Sequence, residues 1–213
     1  MPKAYVFTAH GGPEMEAFLD LPRPVPGPGQ LLAAVRAAGV NPADWKRRAG
    51  FRPPGVRPPK LPAVLGGEVA GVVEAVGDGV AGFAVGDAVF GNPVTGGYAE
   101  FTLLPAEQAA RKPAALTFTD AATLPIAAAT AYDGIRQLGL ARGATLLITG
   151  AGGGVGVAAA QLAVQAGLRV IGTASAGKKD FVEALGVIHI EPGLASRTGF
   201  WLLRRAALTR STT

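Results

Sequence analysis

Residues 144–156 read Ala144-Thr145-Leu146-Leu147-Ile148-Thr149-Gly150-Ala151-Gly152-Gly153-Gly154-Val155-Gly156, and an Ala-rich run from Val157 to Gln165 follows at once. The apolar run before the glycines predicts a strand, and the run after them predicts a helix. A turn without Cβ atoms lets backbone N–H groups come close to a ligand. The helix N-terminus adds about half a positive charge at the same place. In register the turn is Ala151-x-Gly153-x-x-Gly156, the arrangement that holds a dinucleotide's pyrophosphate between strand and helix.

The neighbours strengthen that reading. Arg169 to Ala174 predicts a second strand, Lys178 to Leu185 a second helix closed by Gly186, and Val187-Ile188-His189-Ile190 a third strand. Strand, helix, strand, helix, strand is the pattern of a parallel sheet with right-handed crossovers. A chain that binds NADH often carries Asp or Glu at the end of the second strand to hold the ribose 2′-hydroxyl. Here that place reads Thr173-Ala174-Ser175-Ala176-Gly177-Lys178-Lys179, with no acid before Asp180. A hydroxyl and two lysines suit a 2′-phosphate, so the expected cofactor is NADPH. The turn comes late in a chain of 213 residues, leaving 57 after Gly156. That is room for little more than one mononucleotide-binding half.

The first 120 or so residues read as all-β, with short apolar segments at 3–8, 30–38, 68–76, 87–90 and 98–104 separated by Gly/Pro turns. Pro22, Pro24, Pro26 and Pro28 make an extended connector, and Gly71 inside the 68–76 strand predicts a bulge or a close backbone approach. The pattern changes near 119. Thr119-Asp120 is read as the cap of a helix starting at Ala121, Pro125 as a kink, and Ala127 to Leu138 as a helix ended by Gly139. The expected domains are 1–120, 121–193, and an atypical basic tail over 194–213.

The chain is 49% hydrophobic and 16% charged, which suits a sizeable core and disfavours disorder. It has no Cys, which excludes disulfides, thiolate zinc sites and a Cys nucleophile. No signal peptide and no apolar run long enough to span a membrane are read, so a cytoplasmic protein is expected. The net charge of +5 gathers partly in Lys46, Arg47, Arg48, Arg52, Arg57 and Lys60. A solvated face, an anionic cofactor and a nucleic acid would each fit such a cluster. The nucleic-acid reading is disfavoured because only Trp45 and Phe51 supply nearby aromatics.

Gly66-Gly67-Glu68-Val69-Ala70-Gly71-Val72-Val73-Glu74-Ala75-Val76-Gly77 is laid out like the Gly-His-Glu segment of zinc alcohol dehydrogenases, with Gly67 where a zinc-binding His would stand. His10 and His189 have no ligand spacing, so no metal site is expected. With Gly39-Val40-Asn41-Pro42-Ala43-Asp44, Val85-Gly86-Asp87-Ala88-Val89, Gly96-Gly97-Tyr98-Ala99-Glu100, Ala122-Thr123-Leu124-Pro125, Thr130-Ala131-Tyr132 and the glycine turn, the chain resembles the zinc-independent quinone oxidoreductases of the medium-chain dehydrogenase/reductase superfamily, the zeta-crystallin-like group, over about residues 1–190.

That resemblance implies an α/β protein with an all-β part: a GroES-like barrel followed by an incomplete Rossmann-type parallel sheet. It implies direct hydride transfer from NADPH to a quinone or an activated carbon–carbon double bond. The catalytic candidates are Asn41 and Asp44, although Asp44 equally has the position of a helix-capping acid. Trp45 and Arg48 flank them. The cofactor-binding candidates are Thr130 at the nicotinamide end, Gly150, Ala151, Gly152, Gly153, Gly154, Val155 and Gly156 at the pyrophosphate, and Ser175, Lys178 and Lys179 at the 2′-phosphate. The partner would be a small quinone or enone, with no membrane, and a homodimer is a property of the longer family members. The sequence after about residue 190 departs from the family and is read as unrelated sequence following a premature end. The other open reading is an inactive remnant or a cofactor-binding module.

Overall fold

A computed structural model describes residues 1–192. The expected basic tail over 194–213, with its Phe200-Trp201-Leu202-Leu203 patch, lies outside the described residues. The chain divides into two compact units, Met1–Ile126 and Ala127 onward.

The first unit opens with β1 (Lys3–Phe7), β2 (Glu16–Asp20) and β3 (Gln30–Gly39). The short helix α1 (Pro42–Arg48) comes next, then β4 (Ala63–Val64) and β5 (Glu68–Val76). After these come β6 (Ala88–Gly91), β7 (Phe101–Pro105), β8 (Ala109–Arg111) and α2 (Phe118–Ala121). Two antiparallel sheets result, ordered β2-β1-β4 and β7-β3-β5-β6-β8. Strands β3 and β5 bury Leu31, Ala33, Val69 and Val73 against Val89 and Leu104. This is the alternating inward face of a β layer.

Gly71 does both things expected of it. The β3–β5 register shifts between Val35 and Ala37, beside its partner Val35. A Cβ on Gly71 would also overlap the carbonyl oxygen of Ala34, so only a glycine lets the strands approach here.

Three strands and a helix escape the sequence reading. β4 and β8 are too short for a periodic signal. β2 carries its large residue outward: Phe18 is exposed and stacks at 4.8 Å on Tyr5. α1 had a signal that period-counting missed, Asn41 at the cap, Pro42 at the first helical position and Asp44 two residues on. One helix start is corrected. The cap is Thr117, not Thr119-Asp120; its Oγ1 accepts the Asp120 N–H at 3.0 Å, so the helix begins at Phe118. Around Pro125 the chain takes a π turn, Leu124–Ala128.

The second unit contains α3 (Ala129–Leu138), β9 (Thr145–Ile148), α4 (Gly154–Gln165), β10 (Arg169–Thr173), α5 (Lys179–Ala184) and β11 (Val187–Ile190). Its three strands are parallel in the order β11-β10-β9. Gly139, Gly167 and Gly186 end the three helices with positive φ. The core is small-residue rich, with Ala151, Ala160 and Ala163 meeting Val170, Val182 and Val187.

Candidate functional site

The two units each present a cluster of the predicted residues. In the second unit the glycine turn joins β9 to α4. Gly150 has φ +74° and donates its N–H to Thr173 Oγ1 at 3.0 Å. The N–H of Ala151 goes to the Thr173 carbonyl at 2.8 Å, and that of Gly153 to the Gly150 carbonyl at 2.9 Å. The first bond of the α4 ladder runs from Val157 N–H to Gly153 O at 2.8 Å. The N–H groups of Gly154, Val155 and Gly156 therefore precede the ladder and are aimed out of the helix end. Gly153 and Gly154 are exposed, as is Val155. The sequence reading treats 150–156 as one cradle, whereas the structure divides the labour. Gly150, Ala151 and Gly153 spend their amides on holding the turn, and Ala151 is fully buried in the core.

Lys178 closes this turn from the side. Its Nζ donates to the Gly152 carbonyl at 2.6 Å, and its stem occupies the space where a Gly152 Cβ would sit. Ser175, Lys178 and Lys179 are all exposed just past the end of β10. Thr130 is exposed in the first turn of α3. His189 is held by a 2.8 Å hydrogen bond between Nε2 and the Ala174 carbonyl.

In the first unit the other cluster is a chain of hydrogen bonds at the N-terminus of α1. The Asn41 N–H donates to Asp44 Oδ2 at 2.8 Å, so Asp44 does cap the helix. The same oxygen accepts the Tyr98 hydroxyl at 2.7 Å. Asn41 Nδ2 donates to Glu68 Oε1 at 2.7 Å, and the Ile126 N–H in the π turn donates to Glu68 Oε2 at 2.8 Å. Glu68 is 3% exposed, with both oxygens satisfied. Neither Glu68 nor Tyr98 was singled out from the sequence as a site residue. Their signal was the flanking glycines. A Cβ on Gly66 would lie 2.5 Å from the Tyr98 ring, and one on Gly39 would overlap the Glu68 side chain.

Gly67 takes part in the same packing. A Cβ there would sit 2.9 Å from Ile126 Cδ1 and 4.0 Å from Asp44 Oδ1. Among the described residues no group of three or more His, Cys, Asp or Glu is gathered as metal ligands. Arg48 faces away from this chemistry. It pairs with Glu16, both side chains being largely buried, and its Nε donates to the Gly11 carbonyl at 3.2 Å. The Tyr5 hydroxyl and that Arg48 guanidinium hold the Glu16 carboxyl below its ordinary range.

Burial, and then the hydrogen bond to Asp44, raise the Tyr98 phenol well above its ordinary 10. The unfolded chain ionises this phenol near pH 10 and the folded chain at a higher pH. Its contribution is therefore complete below pH 10 and is lost as the pH climbs through the raised value. Between pH 10 and 12 the Tm of the protein should fall more steeply than that of Tyr98→Phe. Parallel curves would show that Tyr98 is not so held.

Residues 27–114 match the alcohol dehydrogenase GroES-like domain. The chain is 41% identical over 167 residues to human quinone oxidoreductase, covering 77% of this chain and 50% of that protein. It is 39% identical over 168 residues to a 2-methylene-furan-3-one reductase from Solanum lycopersicum, covering 74% and 43%. A mycobacterial protein solved in complex with NADPH superposes with a TM-score of 0.84 at 34% identity, covering 97% of this chain and 63% of that one. The chain spans about half the length of the curated relatives it matches.

Proposed function

Since the chain belongs to the medium-chain dehydrogenase/reductase superfamily, beside its quinone oxidoreductases, we propose that it is an NADPH-dependent reductase of quinones or activated carbon–carbon double bonds, working without zinc. The observation that carries the reading is the glycine turn with its outward amides at the start of α4, flanked by Ser175, Lys178 and Lys179.

The residues present fit the dinucleotide. The amides of Gly154, Val155 and Gly156 lie at the positive end of α4, where a pyrophosphate gains both hydrogen bonds and dipole. Gly152 leaves its side free for Lys178. Ser175 and the two lysines offer a hydroxyl and two charges to a 2′-phosphate, and no acid stands before Asp180 to repel it. Thr130 offers its exposed hydroxyl to the nicotinamide end. When bound, NADPH supplies the hydride.

In the other cluster Asn41 has its amide fixed by Glu68, and Asp44 is fixed by Asn41 and Tyr98. Residues so held act by position and electrostatics rather than by moving. We assign Asn41 and Asp44 to the substrate side of the reaction. The zinc-free reading rests on the donor set. Position 67 carries no ligand, its surroundings are filled by Ile126, and the chain has no thiolate to offer.

The test is a titration of the protein with NADPH and NADH, followed by NADPH oxidation with 1,4-naphthoquinone. NADPH should bind about tenfold more tightly than NADH, and Lys178→Glu/Lys179→Glu should erase the difference. Tighter binding of NADH would overturn the cofactor assignment. Tight NADPH binding without turnover would favour a cofactor-binding module.

A further inference from the structure

Lys178 and Lys179 are neighbours in the sequence, yet the structure uses them differently. The single turn Ala176–Lys178 after β10 is closed by the Lys178 N–H on the Ser175 carbonyl at 2.9 Å. That bond fixes the backbone from which the Lys178 side chain leaves. The side chain then runs back across the glycine turn. Its Cδ lies 2.7 Å from where a Gly152 Cβ would stand, and its Nζ donates to the Gly152 carbonyl at 2.6 Å, 26 positions back along the chain. Lys179 is the first residue of α5, and its ammonium has no hydrogen-bond or ion-pair partner among the described residues.

Gly152 stands immediately before Gly153, the cap of α4, so the Lys178 ammonium is held at the head of that helix. A helix N-terminus already carries about half a positive charge, and a cation beside it is repelled. The first turn of α4 has no acidic residue to offset either charge. A neutral donor would brace the Gly152 carbonyl without that repulsion. An anion at the helix head turns the same repulsion into attraction. The ammonium has three donors, of which Gly152 takes one. The charge and the remaining donors are left where the amides of Gly154, Val155 and Gly156 precede the helix ladder, beside the exposed backbone of Gly153 and Gly154. Amides, dipole and a full charge together suit an anion with more than one negative charge.

We infer that Lys178 serves the pyrophosphate and is indifferent to the ribose 2′-substituent, whereas Lys179, with Ser175, carries the choice of NADPH over NADH. The inference rests on the reading of the second unit as a dinucleotide site, and it divides the pair of lysines between the two phosphate groups of the cofactor. It lies wholly within the second unit.

Calorimetric titration with NADPH, NADH and ADP-ribose tests it, because the last two keep the pyrophosphate but have no 2′-phosphate. Lys178→Gln keeps a donor for the Gly152 carbonyl and removes the charge. It should weaken all three ligands about tenfold and leave the ratio of NADPH to NADH affinity as in the parent. Its Tm should be unchanged, since the side chain is exposed. Lys179→Gln should weaken NADPH about tenfold and leave the other two as they were. Loss of NADPH affinity alone in Lys178→Gln would return Lys178 to the 2′-phosphate and overturn the inference. No loss for any ligand, or a loss that comes with a fall in Tm, would make Lys178 a brace of the turn and overturn it equally. In these cases the parent still binds NADPH and the cofactor reading stands. A parent that binds none of the three ligands overturns that reading and this inference with it.

Discussion

Gly156→Val is expected to weaken NADPH binding about a hundredfold and to lower Tm. A Cβ at 156 would overlap the carbonyl oxygen of Gly150 and lie 2.8 Å from Ala151 Cα. Both obstacles are backbone, and Ala151 is fully buried, so nothing flexible can yield. The helix would have to lift from β9, taking the amides of Gly154, Val155 and Gly156 with it. Overpacking of this kind costs about 3 kcal/mol, and a loss of that size in the ligand site corresponds to about a hundredfold in Kd. NADPH fluorescence titration and thermal unfolding read the two effects. Gly134→Ala in α3 is the control, because a Cβ there meets nothing within 4 Å. Equal Kd values for Gly156→Val and the parent would remove the turn from the cofactor site.

The second large effect is expected at Glu68. Glu68→Ala strips the acceptor from Asn41 Nδ2 and from the Ile126 N–H together, both half-buried, and empties the buried place of the Glu68 side chain. Two orphaned donors and a cavity should cost about 4 kcal/mol. For a unit of this size that is a fall in Tm on the order of 15 °C. Glu68→Gln is not a rescue. It keeps the volume but turns an NH₂ toward one of the two donors, so it should still lose about 2 kcal/mol. A Tm within a degree or two of the parent for both variants would mean that Glu68 does not hold the two segments together.

The two clusters were unequally readable from the amino-acid sequence. The glycine turn was legible because its causes are local: an apolar run, residues without Cβ and an Ala-rich helix adjoin one another, and β9, α4 and β10 formed where expected. The end of β10 was legible for the same reason, since Ser175, Lys178 and Lys179 are exposed there in one short segment. Even so, local reading could not separate the amides that build the turn from those that face outward. That depends on Thr173, which returns to the turn from 22 residues beyond Ala151 to bond it. The Asn41 cluster was half legible. Asp44 followed from the family resemblance, with a helix-capping acid as the other reading, but Glu68 enters from β5 and Tyr98 from the loop before β7, and no periodicity announces them. The glycines that make room for them, Gly39 and Gly66, were visible only as family motif. β2 failed because its large residue points outward, the reverse of what burial leads one to expect.

The hydrogen bonds at the head of α1 join residues 27, 54 and 58 positions apart in the chain. None can form while its intervening loop is open, and closing each loop costs entropy before any bond is made. Glu68 is set opposite Gly39 by the β3–β5 pairing, and Tyr98 stands in the loop before β7 beside Tyr5 and Leu65, so the cluster closes on a frame that those pairings provide. Its residues are joined only in the finished fold, so they can be chosen for the work of the site, while the β3–β5 pairing supplies the frame that holds them.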